Sequence, residues 1–166
     1  TSEKGHNREH METTLRAIMD LEVPTLCFWP NIDAGTDEVS NAIRRYRENT
    51  SIDRYMGFVK YLPPGKFIAL LSRSICLVGN SSAGIKECSY LGIPVVNIGN
   101  RQNGRARVEN VLDVSHDQDL IREAISKQIG KKRYPSNNFY YKENTSKNIA
   151  DILASIPLYI QKRFVD

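Results

Sequence analysis

A chain of 166 residues, 40% hydrophobic and 25% charged, is long enough to bury one sizeable core, and a single domain over residues 1–166 is the expectation. Its net charge of +4 comes from interleaved signs, as in Arg44-Arg45-Tyr46-Arg47-Glu48, and the basic run Lys131-Lys132-Arg133 has no aromatic-basic stripe beside it, so nucleic acid is not an expected partner. No apolar run nears the roughly 18 residues a membrane helix needs, and the amino terminus is polar, which leads us to expect a soluble, cytoplasmic protein with no membrane contact.

In chain order, short apolar runs alternate with longer amphipathic segments. Met11, Leu15, Ile18 and Met19 share one face of a first helix. Thr25 to Trp29 reads as a strand, and Val39, Ala42, Ile43 and Tyr46 mark a second helix. Tyr55 to Lys60 is the next strand candidate, followed by a short helix carrying Phe67, Ile68 and Leu71. Ser74 to Val78 and Pro94 to Ile98 are further strands, separated by a helix through Ile85, Lys86, Glu87 and Leu91, and Asn110 to Val114 is a shorter fifth. Ile121, Ala124, Ile125 and Ile129 then share a helix face. Arg133 to Lys142 contains the turn formers Pro135, Ser136, Asn137 and Asn138 and reads as a loop. A last helix carries Ile149, Ile152, Leu153 and Ile156, and residues 143–166 form a helical extension of the same domain that reaches outward to pack on something else. The alternation predicts an α/β fold, a Rossmann-like parallel sheet with helices on both faces.

Cys27, Cys76 and Cys88 lie in or beside apolar runs without zinc-like or disulfide-framework spacing, and read as buried thiols. No cluster has metal-ligand spacing, and the dinucleotide fingerprint is missing, so neither a metal nor a nicotinamide cofactor is expected. His6 and His10 are expected to be exposed on the first helix. His116 is read as opening a later helix, with no chemical partner apparent.

In open parallel sheets ligands collect outside the carboxyl ends of the strands. Gly79-Asn80-Ser81-Ser82-Ala83-Gly84 sits at such a junction, where small residues admit an anion to the backbone and hydroxyls add donors. Helix capping by Asn80, Ser81 or Ser82 accounts for the segment equally well, and capping is compatible with phosphate binding. Glu87 falls about one turn beyond Ser82, near enough to reach a sugar hydroxyl beside the phosphate. Asn100-Arg101-Gln102-Asn103-Gly104-Arg105-Ala106-Arg107 follows the next strand and offers three arginines suited to a diphosphate, Arg101 before the others. Pro30-Asn31-Ile32-Asp33-Ala34-Gly35 occupies another strand-to-helix junction, where Asn31 and Asp33 either shape the turn or bind. Leu62-Pro63 offers backbone groups to a flat base.

Taken together, Pro30 to Gly35, Gly79 to Glu87 and Gly99 to Arg105 resemble the UDP-N-acetylglucosamine 2-epimerase family in order and spacing, from the first helix to about Val114 and more loosely beyond. The resemblance implies two Rossmann-like domains facing each other across a cleft, as in glycosyltransferases of the GT-B type, with this chain similar to the second domain alone. It also implies that Ser81 and Ser82 hold the diphosphate of UDP, Glu87 the ribose hydroxyls, and Leu62 the uracil through its backbone. Asn31 and Arg101 line the same site, with Asp33, Asn80, Gly84 and Arg105 as weaker neighbours. The Pro-Asn-Ile-Asp-Ala-Gly segment is similar to the hydrolysing branch, which converts UDP-N-acetylglucosamine and water to N-acetylmannosamine and UDP by anti elimination and hydration. The family's catalytic carboxylates belong to the other domain, and its nucleotide-reaching histidine falls just before Thr1.

The implied partners are UDP or a UDP-N-acetylhexosamine and the amino-terminal domain of the same enzyme, with self-association of the parent left open. This chain alone is expected to be catalytically silent. Two alternatives stand beside that reading. One is a hydrolysing 2-epimerase of UDP-2,4-diacetamido-2,4,6-trideoxyglucose serving nonulosonate synthesis; the other is the donor half of a GT-B glycosyltransferase, against which the Asn-Ile-Asp-Ala-Gly segment argues.

Overall fold

A computed structural model describes residues 5–30, 36–49 and 55–157. The described elements run α1 (Asn7–Met19), β1 (Thr25–Phe28), α2 (Thr36–Asn49), β2 (Met56–Val59), α3 (Pro64–Leu71) and β3 (Leu77–Gly79). They continue with α4 (Ser82–Ile85), α5 (Glu87–Leu91), β4 (Val95–Ile98), β5 (Val111–Val114), α6 (Gln118–Lys131) and α7 (Thr145–Ser155). All the strand pairs are parallel, as the alternating pattern predicts. The expected single sheet is, among the described residues, two ladders: β1 with β2, and β3-β4-β5 with β4 in the centre.

Helix α1 spans both ladders. Leu15 packs with Ile43 and Met56 over the two-stranded ladder, while Ala17 joins Val96, Ile98, Ile121 and Ile125 over the three-stranded one, and Ile18 touches both clusters. The period-2 alternation of β4 sends Val96 to that face and Val95 to the other, where Leu71, Cys88 and Ile93 close a third cluster. Helices therefore cover both faces of β3-β4-β5, and every residue of β4 is buried.

Polar groups organise the amino-terminal edge of this ladder. The buried Gln128 of α6 donates through Nε2 to the carbonyls of Val95 (2.8 Å) and Asn110 (3.0 Å), and its Oε1 accepts from the Tyr134 hydroxyl at 2.8 Å. Asn110 Nδ2 donates in turn to Ile93 O at 2.8 Å. The four hydrogen bonds tie α6 and the following loop to the strands.

Several boundaries differ from expectation. The third strand begins at Leu77, not Ser74, because Ser74 closes the turn after α3: its amide and its hydroxyl both donate to Leu71 O, at 3.0 and 2.7 Å. The helix expected through Lys86 is broken there into α4 and α5, with Lys86 at φ −95° and ψ −70°. Ser89 Oγ donates back to Ile85 O, the type of hydroxyl-to-carbonyl bond that bends helices. Ile68, expected on the buried face of α3 with Phe67 and Leu71, is exposed. His116 precedes α6, whose cap is Asp117 Oδ1 accepting from Leu120 N at 2.9 Å. Its ring stacks on the half-buried His10 with centroids 3.6 Å apart, and His6 follows at 5.9 Å, so His10 is not the exposed side chain its helix position suggested.

Arg133 to Lys142 is the expected loop, and it is pinned to the body as a strap. Tyr134 N donates to Gly92 O and Asn137 N to Ser89 O, while the Tyr90 and Tyr141 rings stack at 4.2 Å. Helix α7 buries none of its residues; Ile149, Ile152, Leu153 and Ile156 are all exposed. No described helix is long and apolar enough to cross a membrane.

Candidate functional site

Parallel ladders place the loops after β3 and β4 side by side at the carboxyl edge, because the register pairs Gly79 with Asn97. The first is the serine loop. Gly79 turns the chain out of β3 at φ +131°, a conformation that favours glycine. Ser81 is the cap of α4: its Oγ accepts from Ala83 N at 3.3 Å and its carbonyl accepts from Gly84 N at 3.1 Å. Ser81 is exposed and Ser82 half-buried, so both hydroxyls sit at the rim of the ladder. Capping, one of the two readings open from sequence, is thus in place for Ser81. A hydroxyl that accepts one bond keeps a second lone pair and its own proton for a further partner.

Because α4 is a single turn, the cumulative dipole of a long helix does not operate here, and an anion would meet individual N–H groups instead. The break at Lys86 also means that Glu87 is not set one continuous turn beyond Ser82; it is the exposed first residue of α5. Gly84 faces inward. A Cβ at this position would meet Val95 Cγ1 at 2.9 Å and Leu77 Cδ2 at 3.3 Å, so its absence lets α4 lie close on β3 and β4.

The second loop carries the arginines. Gln102, flanked by Arg101 and Asn103, is 4% exposed, and its Nε2 donates to Asn80 O at 2.7 Å, joining the arginine loop to the serine loop. Asn103 N donates to Asn100 O and Arg105 N to Gln102 O, which folds residues 100–105 into a compact turn around that side chain. Arg101 and Arg105 are exposed. Arg107, grouped with them from sequence, is engaged elsewhere: Nε lies 3.0 Å from Asp113 Oδ2 and Nη2 3.3 Å from Oδ1. The same Oδ1 accepts from the buried Asn97 Nδ2 at 2.6 Å. Arg107 is therefore a fork closing the loop onto β5, a geometry matched by its planar guanidinium. Tyr140 adds a second brace from the strap, donating to Ala106 O at 2.9 Å.

Among the predicted site residues, then, Asn80 and Ser81 lie in the serine loop, Ser82 and Gly84 in the α4 turn that follows it, and Arg101 and Arg105 in the arginine loop, which the buried Gln102 joins to Asn80. Leu62 belongs to the other ladder, half-buried in the turn between β2 and α3. Asn31 and Asp33 lie outside the described residues. Gln102, Asn97, Asp113 and Tyr140 were not singled out from sequence. Their pairings join residues as far as 34 positions apart, and no local spacing announces them.

The thiols offer no nucleophile. Burial pushes Cys27 up to about 11 and Cys76 and Cys88 up to about 12, so all three are neutral near pH 7. An open groove between α1 and α2, lined by Arg8, Glu38, Asn41, Arg44, Arg45 and Glu48, shares no residue with the serine and arginine loops.

Comparison with known proteins adds an independent line. A family profile described as UDP-N-acetylglucosamine 2-epimerase matches residues 1–154. A hydrolysing UDP-N,N'-diacetylbacillosamine 2-epimerase of Legionella pneumophila is 31% identical over 150 residues, which are 90% of this chain and 39% of that protein. A UDP-N-acetylglucosamine 2-epimerase of Neisseria meningitidis is 24% identical over 147 residues, 85% of this chain and 38% of the relative. A GDP/UDP-N,N'-diacetylbacillosamine 2-epimerase (hydrolysing) of Campylobacter jejuni is 28% identical over 65% of the chain and 28% of its own length. The chain thus spans about two fifths of the first two relatives and less of the third.

Proposed function

Since the chain belongs to the UDP-N-acetylglucosamine 2-epimerase family, we propose that it is the UDP-binding part of a hydrolysing 2-epimerase acting on a UDP-linked N-acetylhexosamine. The observation that supports this reading is the hydrogen bond from Gln102 to the Asn80 carbonyl, which joins the loop carrying Ser81 to the loop carrying Arg101 and Arg105. Guanidinium and backbone N–H groups are the donors that phosphate oxygens accept, often bidentately from arginine.

In this reading Ser81 and Ser82 hydrogen-bond the diphosphate and Arg101 balances its charge, with Arg105 and Asn80 beside them. Gly84 contributes by letting α4 lie close to the sheet. Glu87 takes the ribose hydroxyls, the Leu62 backbone reads the uracil, and Asn31 and Asp33 complete the pocket. During reaction a base removes the proton at carbon 2 of the sugar while UDP departs from carbon 1, leaving a glycal-like intermediate. Water then adds at carbon 1, and a proton returns to carbon 2 on the opposite face. The residues proposed here stabilise the departing UDP, whose negative charge grows as the glycosidic bond breaks. Proton transfer at carbon 2 falls to groups outside this chain, so the chain alone binds nucleotide without turnover.

The sugar itself has two candidates. UDP-N-acetylglucosamine follows from the family description, whereas the relative at 31% identity is named for UDP-N,N'-diacetylbacillosamine, which favours a 2,4-diacetamido-trideoxy sugar as a second reading. Incubation of the full-length parent with each UDP-sugar in deuterated water tests the reaction and the choice together. Release of the free 2-epimeric sugar with deuterium at carbon 2, alongside UDP, is the expected result. An epimerised but intact UDP-sugar as the sole product contradicts the hydrolysing assignment.

A further inference from the structure

Gln102 is an unusual choice for its place. It sits between exposed residues of a cationic loop, yet its own side chain is 4% exposed, with Nε2 on Asn80 O at 2.7 Å and with Oε1 buried and lacking a hydrogen-bond partner among the described residues. A methionine or leucine would fill similar space without burying an unpaired oxygen, which costs stability. The amide is therefore worth its place only through the bond it makes.

That bond fixes a direction. A trans peptide is planar, with its carbonyl and its N–H pointing to opposite sides. When Gln102 holds the Asn80 carbonyl toward the buried side of the arginine loop, the N–H of Ser81, in the same peptide unit, is turned away from it, toward the exposed rim where Ser81 lies. The amide that orients Ser81 is also the centre of the turn from Asn100 to Arg105, so beyond the β3–β4 register one side chain links the serine-loop donors to the Arg101 turn.

Resting on the diphosphate reading above, we propose that Gln102 is a positioning residue of that site, locking the Asn80–Ser81 peptide and the Arg101 turn so that both engage one diphosphate. Gln102 touches no phosphate itself. Its contribution is specific to the diphosphate, and uridine, which lacks phosphates, is bound without it.

The test compares UDP with uridine by calorimetry on the 166-residue chain. For Gln102→Ala and the volume-preserving Gln102→Met, UDP affinity falls by about tenfold or more, while uridine affinity changes by less than about twofold. Gln102→Glu loses UDP affinity at pH 8, where a carboxylate faces the Asn80 carbonyl. It regains affinity relative to wild type at pH 5, where a protonated carboxyl can donate to that carbonyl. The pH 5 rescue and the UDP-against-uridine split are readouts that a general loss of structure does not produce. Equal weakening of UDP and uridine, or a folded Gln102→Met chain that binds UDP as wild type does, overturns the inference. A wild-type chain that binds no UDP refutes the functional reading itself, and this is seen before any variant is compared.

Discussion

Replacing Gln128 by methionine keeps the side-chain length in α6 and removes three hydrogen bonds, to Val95 O, Asn110 O and the Tyr134 hydroxyl. The residue is 2% exposed, so water does not replace the amide in the native state. Two partners are not stranded by the change: Asn110 O still accepts from Val95 N at 2.8 Å, and the half-buried Tyr134 can turn toward solvent. With little orphaning, each lost bond costs its net value of about 0.5–1.5 kcal/mol, for a total of roughly 1.5–4.5 kcal/mol. Gln128→Ala adds a cavity and costs about 2–5 kcal/mol more. For a chain of this size a loss of ~3 kcal/mol lowers Tm by roughly 6–12 °C. Urea unfolding followed by circular dichroism measures the difference, with an unchanged m-value showing that the native state is not loosened. In a double-mutant cycle with Tyr134→Phe the coupling should be about 0.5–1.5 kcal/mol. A methionine variant within ~0.5 kcal/mol of wild type refutes the idea that this polar group secures the ladder edge.

At Gly84 an added methyl group meets Val95 Cγ1 at 2.9 Å. Gly84→Ala therefore sets overpacking of about 1–3 kcal/mol against a helix-propensity gain of about 1 kcal/mol, and thermal unfolding should show a net loss that grows in Gly84→Val. Arg107→Ala removes an ion pair whose side chains are 23% and 49% exposed, so denaturation should register at most about 1 kcal/mol. Its effect on UDP affinity should be smaller than that of Arg101→Ala. Burial raises the thiols of Cys27, Cys76 and Cys88 to about 11–12, whereas unfolded thiols ionise near pH 8.5. Their neutral form favours the folded state fully below about pH 8.5, and that stability is lost as pH rises toward 12. Urea midpoints should fall between pH 8 and pH 10, and Cys76→Ala should flatten the decline.

Hydrophobic periodicity is a local signal, and it identified Leu15, Ile43, Ile121, Ala124 and Ile125 as core positions in their helices. Turn chemistry placed the serine loop at a strand end, where β3 indeed delivers it. What escaped the sequence was decided by long-range polar pairing. Gln102 stands among arginines and asparagines and reads as solvated; its bond to the Asn80 carbonyl, 22 positions away, is what the local sequence does not announce. Arg107 is indistinguishable in sequence from Arg101, and Asp113, six residues on in β5, is what separates their roles. The break at Lys86 is accompanied by the Ser89 hydroxyl donating to Ile85 O, in a stretch whose apolar spacing still reads as a single helix. The absence, among the described residues, of pairing between β1 and β3 is likewise a property of how strands meet, which the alternating pattern does not encode.

Titration of the isotopically labelled chain with UDP, following amide resonances, bears most directly on the account. Chemical-shift changes centred on residues 79–87 and 99–105, saturating with UDP and weakened by Ser81→Ala and Ser82→Ala, are the predicted outcome. Absence of binding at millimolar UDP, or shifts gathered in the α1–α2 groove with the serine and arginine loops unmoved, would contradict it.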